Sequence, residues 1–115
     1  MKFICYKKCS TCIKALNTLK ELGFEPEIRD LKEDKLSASE LTEIINKSGL
    51  DTQKFFNTSG LIYKNNNLKE KTKTMTDAEK IELLSTDGML VKRPILITDK
   101  KIIVGFKKEE YLNLK

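Results

Sequence analysis

KFICYKKCSTCIKALNTLKELGFEPEIRDL, residues 2–31, is the stretch that decides the fold. It opens on the apolar run KFICY, which is typical of a buried strand. A helix should follow and end before Gly23, a residue suited to a helix C-cap, and EPEIRDL is a second short strand. Strand, helix and strand in this order predict a βαβ unit with parallel strands and a right-handed crossover. The expected buried face of the helix, with apolar spacings of three and four, comprises Cys12, Ala15, Leu16, Leu19 and Leu22.

The rest of the chain changes from a helical to a β pattern. SASELTEIINKSG begins at Ser37 and TDAEKIELLSTDG at Thr76, and each has Glu three positions after the hydroxyl residue, which predicts a capping box and a helix. The buried face of the helix that begins at Thr76 should contain Ala78, Ile81 and Leu84, with Leu83 as a further candidate. RPILIT and IIVGF are two β-rich runs separated by DKK, a hairpin signal, and KEEYLNL is a final short helix. The order β-α-β, helices, β-β-α predicts an α/β fold.

Length and composition bound the class of protein. The 115 residues suit a single domain, 1–115, with a helical insertion at about residues 35–90. The net charge is +5, but the positive charges are spread along the chain without interleaved aromatic residues, so we expect no direct binding of nucleic acid. No apolar run approaches the roughly 20 residues of a membrane span, and the first residues do not resemble a secretory signal. We therefore expect a cytoplasmic protein that does not contact a membrane.

The CSTC motif, Cys9 to Cys12, leaves three interpretations open. A zinc site needs four ligands, and the chain offers one further cysteine, Cys5, and no histidine, so we expect no metal within one chain. Chance spacing of two small residues is the second interpretation. The third is a redox pair, which the position after the first strand of a βαβ unit favours. The lack of histidine also excludes Cys-His catalysis.

A redox pair has a physical basis at this position. Cys9 should lie at the junction of strand and helix, where unpaired backbone N–H groups and the helix dipole favour a thiolate. Lys7, Lys8 and Lys14 add positive potential. Cys12 lies about one helical turn further on, in position to attack a mixed disulfide on Cys9. Cys9 is therefore the candidate nucleophile and Cys12 the candidate resolving thiol.

The second candidate feature is VKRPILIT, in which Arg93 directly precedes Pro94. Proline is tolerated at the first position of a strand, where no ladder N–H is required. In a thioredoxin-like fold, this is the position at which a cis-proline faces the active cysteine. Arg93 would then project near Cys9, where its fork of donors is suited to an oxyanion or a carboxylate and favours the thiolate.

Together, CSTC after the first strand, NTSGLIY in the middle, MLVKRPILI and VGF resemble the arsenate-reductase-like (ArsC/Spx) family over essentially the whole chain. The resemblance implies a thioredoxin-like fold with a mixed four-stranded sheet and an inserted helical subdomain. It also implies a redox-active centre that forms a disulfide, with no tightly bound cofactor, glutathione as a co-substrate, and glutaredoxin or thioredoxin as reductant. The catalytic residues would be Cys9, Cys12 and Arg93, and the wall of the site would be Lys8, Ser10, Thr11, Ser59 and Pro94.

Two branches of this family imply different functions. Its glutathione- and glutaredoxin-dependent arsenate reductases attack arsenate with one Cys and cradle it with three Arg. Cys9 and Arg93 match that set, but Asn57 and Ser59 stand in the middle motif where relatives often carry Arg, so we expect a thiol–disulfide oxidoreductase that reduces arsenate poorly. Spx proteins carry a CxxC disulfide switch and bind the RNA polymerase α subunit. The alternative is therefore a redox-sensing transcription regulator, and a third alternative is a domain that has kept the fold and lost the activity.

Overall fold

The computed structural model describes residues 1–114 and contains a four-stranded mixed sheet. Its first two strands are parallel, with Cys5 opposite Asp30 in the register, and the other two pairings are antiparallel. This sheet confirms the predicted α/β, thioredoxin-like fold, including the parallel pair and the hairpin. The strands are β1 (Lys2–Cys5), β2 (Glu27–Asp30), β3 (Ile95–Ile97) and β4 (Ile102–Val104), in the spatial order β2-β1-β3-β4.

Helices connect and cover the strands. The first helix joins β1 to β2, and the next four lie between β2 and β3, within the region where the helical insertion is expected. Within residues 1–114, none of the helices is both long and apolar enough to cross a membrane. The α-helices are α1 (Ser10–Glu21), α2 (Ala38–Ser48), α3 (Leu61–Asn65), α4 (Leu68–Lys71), α5 (Asp77–Thr86) and α6 (Lys108–Leu112), and short 3-10 turns cover Thr52–Phe55, Thr72–Thr74 and Gly88–Leu90.

Each face of the sheet has its own hydrophobic cluster. In β1, Ile4 belongs to one cluster and Phe3 and Cys5 to the other, as the alternation of side chains along a strand requires. The cluster around Ile4 includes residues of α2 and α5, so the helices between β2 and β3 share one core with the sheet. The second cluster joins the sheet to α1 through Cys12 and to α6 through Tyr111. The CSTC motif is thus anchored to the α1 side of the sheet.

Both predicted capping boxes are present. The hydroxyls of Ser37 and Thr76 each accept a hydrogen bond from the backbone N–H of the Glu three positions later, at 3.2 Å. In return, each Glu carboxylate accepts from the backbone N–H of its cap residue. The expected burial of Ala78 is wrong, because the first turn of α5 faces solvent and the helix becomes buried only further on, at Leu84.

Arg29 ties β2 to the start of α2. Its guanidinium donates to both carboxylate oxygens of Glu40, to the carbonyl of Asp34 at 3.0 Å and to the carbonyl of Lys35 at 2.8 Å. The hydrogen bond from Arg29 is the largest of the influences that lower the pKa of Glu40 to about 2, and the backbone N–H of Ser37 adds to it. The ion pair therefore holds the loop after β2 against the N-terminus of α2.

Arg29→Gln should lower the free energy of unfolding at pH 7 by about 1 kcal/mol, since both partners are partly solvated and the pair is screened. A carboxylate whose pKa is depressed in the folded state stabilises the fold above its unfolded pKa of ~4.3 and loses this effect as the pH falls through its folded pKa. The difference in the free energy of unfolding between wild type and Arg29→Gln should be constant from pH 7 to about pH 5. It should shrink as the pH falls further towards about 2.

Urea denaturation at a series of pH values measures this difference. Glu43→Gln is the matched control, because Glu43 is an exposed carboxylate on the same helix. This control should leave the pH dependence unchanged. A difference between wild type and Arg29→Gln that persists unchanged down to pH 2 would contradict the assigned role of the ion pair.

Candidate active site

Cys9 is the N-cap residue of α1 and is partly exposed. Its backbone is extended, with φ −83° and ψ 119°. Its N–H donates to the carbonyl of Tyr6 at 3.0 Å, and its carbonyl accepts from the N–H of Ile13 at 3.1 Å. No side chain within residues 1–114 caps the helix by a hydrogen bond, so the amides of the first turn are left facing the Cys9 sulfur.

The pKa of the Cys9 thiol lies below its ordinary value. Burial acts in the opposite direction, but it is outweighed by the nearby backbone N–H groups of Cys12 and Thr11, by the Cys12 thiol and by the charge of Arg93. The two backbone donors belong to the first turn of α1, which is where a helix favours a thiolate. Cys9 is therefore the thiol that this geometry favours as a nucleophile.

Cys12 is the opposite kind of thiol. It is 3% exposed, and the backbone N–H of Tyr6 donates to its sulfur at 3.5 Å. Burial is the main influence that raises the pKa of Cys12 to about 12, and the neighbouring Cys9 and Cys5 sulfurs raise it further. Cys12 thus stays protonated at neutral pH and can donate its S–H to the Cys9 thiolate.

Cys5 is the third free thiol and lies at the end of β1. It is 4% exposed and belongs to the same hydrophobic cluster as Cys12. Burial and the charge of Asp30 raise its pKa. Within residues 1–114, no group of three or more cysteine, aspartate and glutamate side chains is placed to hold a metal ion.

Arg93 reaches the same corner of the molecule from the segment before β3. Its guanidinium carbon lies 5.3 Å from the ring centre of Tyr6, a cation–π contact. Nη1 donates to the carbonyls of Met89, at 3.3 Å, and Val91, at 3.4 Å. The Nε atom is buried and has no hydrogen-bond partner in the described part of the chain. Arg93 is therefore held in place while its charge lowers the pKa of Cys9.

A turn at residues 57–60 packs against the segment that carries Arg93. The side-chain amide of Asn57 donates to the carbonyl of Met89 at 3.4 Å, and this carbonyl also accepts from Arg93. Ser59, which the sequence places in the wall of the site, is exposed in this turn and makes no side-chain hydrogen bond to any residue among 1–114. The structure thus brings Asn57, and not Ser59, into contact with the arginine segment.

The other predicted wall residues take two kinds of position. Pro94 is buried directly before β3, and the peptide bond between Arg93 and Pro94 is cis. Lys8, Ser10 and Thr11 are exposed on either side of the N-cap of α1. Of these three, Thr11 acts on the candidate nucleophile through its backbone N–H.

Comparison with known proteins identifies a family whose model includes the three segments that form the candidate site. The ArsC family model matches residues 5–114, which include the CSTC motif, the NTSG turn and the KRP segment. The chain belongs to the ArsC family. It is 46% identical over 111 residues to the uncharacterized protein YusI of Bacillus subtilis, covering 96% of this chain and 94% of YusI. It is also 31% identical over 114 residues to the regulatory protein MgsR of Bacillus subtilis, covering 99% of this chain and 89% of MgsR.

A solved structure shows the same architecture. The crystal structure of a putative ArsC family related protein from Bacteroides fragilis has a TM-score of 0.94 and 47% sequence identity, and the match covers 100% of this chain and 98% of that chain. The fold of this ArsC-family chain is therefore supported over its full described length.

The sequence did not single out Tyr6, which the structure places between Arg93 and Cys12 in the candidate site. Its ring supports the Arg93 guanidinium, and its backbone N–H donates to the Cys12 sulfur. Tyr6 reads as the last residue of the first apolar run. An aromatic residue just before the CxxC motif could have indicated a role for Tyr6 in the site. Only the folded chain, however, shows that Arg93 lies over its ring.

Asp30 is a second residue that sequence reasoning missed. Its carboxylate is mostly buried and accepts backbone N–H groups of Lys7 at 3.0 Å, Lys32 at 2.9 Å and Glu33 at 3.3 Å. Burial opposes these bonds, but together they lower the pKa of Asp30. The bond to Lys7 fixes the loop between β1 and Cys9. The sequence did contain a signal for this contact. Asp30 stands at the end of the second predicted strand and Lys7 just after the first, and the ends of two parallel strands lie side by side.

Proposed function

We propose that this ArsC-family protein is a thiol–disulfide oxidoreductase in which Cys9 is the nucleophile and Cys12 the resolving thiol. The observation that carries the proposal is the contrast between the two thiols. Cys9 is partly exposed and has a lowered pKa, whereas Cys12 is buried and has a raised pKa. A CxxC motif needs this contrast, because only the thiolate attacks and the second thiol must wait until a mixed disulfide exists.

In the first step, the Cys9 thiolate attacks one sulfur of an oxidised substrate, such as the mixed disulfide of glutathione with another thiol. The S–S bond of the substrate breaks and a new S–S bond forms to Cys9. The leaving thiolate takes up a proton from water. The partial exposure of Cys9 provides the access that this step requires.

In the second step, Cys12 attacks the mixed disulfide at the Cys9 sulfur. Consuming the Cys9 thiolate removes two of the influences that raise the pKa of Cys12, although burial, the largest, remains. The N–H of Tyr6 supports the emerging thiolate. The Cys12 proton passes to the leaving substrate thiolate as the Cys9–Cys12 disulfide forms, and a dithiol of glutaredoxin or thioredoxin then supplies two electrons and two protons to reduce it.

Arg93 has two roles in this proposal. Its positive charge favours the Cys9 thiolate before the reaction. Its Nη2 group makes no hydrogen bond within residues 1–114, so it is free to hold an anionic group of the substrate, such as a carboxylate of glutathione. The contacts of the guanidinium with the Tyr6 ring and the Met89 and Val91 carbonyls orient it for both roles.

Arsenate should be a poor substrate, because a tetrahedral oxyanion beside Cys9 would meet one guanidinium group. The chain contains two arginines, Arg29 and Arg93. Arg29 is engaged with Glu40 at the start of α2. Lys64, a basic residue close to the middle motif, lines a separate cleft that does not include Cys9 or Arg93.

A coupled assay tests this proposal. NADPH oxidation is followed with glutathione, glutathione reductase and glutaredoxin, or with thioredoxin and its reductase, and with a mixed disulfide or arsenate as substrate. We expect turnover with a disulfide substrate. With arsenate, the rate should be no more than about a hundredth of that value, because preorganised positive charge is usually the largest contribution to stabilising an oxyanion during the reaction. The absence of turnover with every disulfide and both reductants would contradict the proposal.

The second candidate function is a redox-sensing regulator of transcription. It is favoured by the similarity to the regulatory protein MgsR, which extends over 99% of this chain. In this case the Cys9–Cys12 disulfide would act as a switch for binding the RNA polymerase α subunit. Co-purification of that subunit with wild type and with a Cys9→Ser, Cys12→Ser variant tests the regulator function against the oxidoreductase function. Binding in neither redox state would remove the regulator function.

A further inference from the structure

A second concave surface lies in the helical region between β2 and β3. It is a cleft of about 860 Å³, and Cys9, Cys12 and Arg93 are not among its lining residues. This volume is within the range of ordinary small-molecule sites. The cleft is lined on several sides by α3, α4 and α5 and by the 3-10 turns beside them, so its walls come from separate segments of the chain.

The cleft collects positive charge. Lys64 of α3, Lys69 of α4 and Lys80 of α5 all line it, and none of the three forms an ion pair with a carboxylate within residues 1–114. A fourth lining lysine, Lys73, is already paired with a glutamate. The single lining carboxylate, Asp51, accepts a hydrogen bond from the N–H of a neighbouring residue at 3.1 Å. Three lysines from three helices, none of them paired with a carboxylate in the described part of the chain, thus line one cavity.

A mostly buried tyrosine provides an independent observation at the same place. Tyr63 lines the cleft and is 6% exposed. Its oxygen accepts a hydrogen bond from the side-chain amide of Gln53 at 3.2 Å, while its own O–H has no acceptor within the described residues. A ligand in the cleft could therefore supply the acceptor for this O–H group.

We propose that this cleft binds a small compound that carries two or more phosphate groups. Lysine ammonium groups and hydroxyl donors are suited to phosphate oxygens, and a diphosphate brings enough negative charge to neutralise three lysines. The three lysines come from three separate helices that line one concave cleft, and Tyr63 is buried and does not form an exposed stacking platform. These two features favour a small compound over an extended nucleic-acid strand.

Titration calorimetry with inorganic pyrophosphate and with ADP tests the proposal. The cleft variant is Lys64→Gln, Lys69→Gln, Lys80→Gln, and the matched control is Lys20→Gln, Lys101→Gln, Lys108→Gln, which removes three exposed lysines elsewhere. We expect one site per chain for wild type, affinity weakened at least about tenfold in the cleft variant, and less than about twofold in the control. Equal affinities for the two probes would assign recognition to the diphosphate alone, and tighter ADP binding to a nucleotide.

Tyr63→Phe removes only the hydroxyl and should weaken binding about threefold to tenfold, because the O–H is replaced by a group that cannot donate. The cleft proposal is overturned if neither probe binds at low salt, or if both triple variants weaken binding equally. It is also overturned if an acidic peptide or single-stranded DNA binds at the cleft lysines while pyrophosphate and ADP do not. None of these readouts involves the thiols, so failure here leaves the proposed oxidoreductase function untouched.

Discussion

Cys9→Ser should abolish disulfide reduction, with a loss of at least about a thousandfold in the coupled assay, because serine supplies no thiolate for the first attack. Cys12→Ser should behave differently. Its Cys9 can still attack, so the variant should accumulate a stable mixed disulfide with the substrate, visible by mass spectrometry of the intact protein. The two variants therefore separate the nucleophile from the resolving thiol.

Cys5→Ala is the matched control for these two variants. Cys5 is as buried as Cys12 and lies in the same cluster, but it has no step in the proposed reaction. We expect the control to keep most of the wild-type activity, with some loss of stability from a slightly smaller core residue. Equal loss of activity in Cys5→Ala and Cys9→Ser, or trapping of substrate on Cys12 in place of Cys9, would contradict the assignment.

Gly88→Ala should lower the free energy of unfolding by about 3 kcal/mol or more, since overpacking against backbone has no easy relaxation. A Cβ atom at Gly88 would lie 2.1 Å from the carbonyl oxygen and 2.8 Å from the carbonyl carbon of Leu31. Leu31 is fully buried, and its N–H donates to the carbonyl of Cys5 at 2.8 Å. Neither backbone segment can move away without breaking the contact between the end of β2 and the turn after α5.

Gly49→Ala is the control for this substitution. Gly49 has φ +69°, but an added Cβ there meets no atom within 4 Å. Only the strain of a left-handed conformation remains, about 1 kcal/mol. Urea denaturation of both variants measures the difference. If Gly88→Ala costs no more than Gly49→Ala, the close approach of Gly88 to Leu31 does not exist in the folded protein.

Local patterns were sufficient to predict the scaffold. The apolar run before Cys9 and the helical spacing after it predicted β1, α1 and the thiol at their junction. The paired runs around DKK predicted the β3–β4 hairpin. These features depend on neighbours in sequence, where periodicity and capping residues carry the information.

Contacts between distant segments could not be predicted from such patterns. The stacking of Arg93 on Tyr6 depends on β3 lying beside β1, which is a property of the sheet order. The contacts of the NTSG turn, residues 57–60, could not be predicted from local patterns either. Family resemblance directed attention to Ser59, but the turn exposes this residue and uses Asn57 to contact the Met89 carbonyl.

The exposure of the edge strand β2 is a further feature that could not be predicted from the sequence. Ile28 is an apolar residue in the predicted second strand, but it is 49% exposed in β2, which lies at the edge of the sheet. Ile28 lies opposite Phe3 in the register and therefore on the α1 side of the sheet, but it is not part of the hydrophobic cluster on that side. How far a helix covers an edge strand depends on tertiary packing, and a four-residue strand contains too few positions to predict it.

The most direct test of Cys9 as the activated nucleophile is the pH dependence of alkylation at each cysteine, measured by iodoacetamide labelling and mass spectrometry of peptides. Cys9 should react first, with an apparent pKa below the ~8.5 of an unperturbed thiol. Cys12 should remain unmodified throughout the range in which Cys9 titrates, because burial raises its pKa to about 12. An apparent pKa for Cys9 at or above the ordinary value, or labelling of Cys12 before Cys9, would contradict the account.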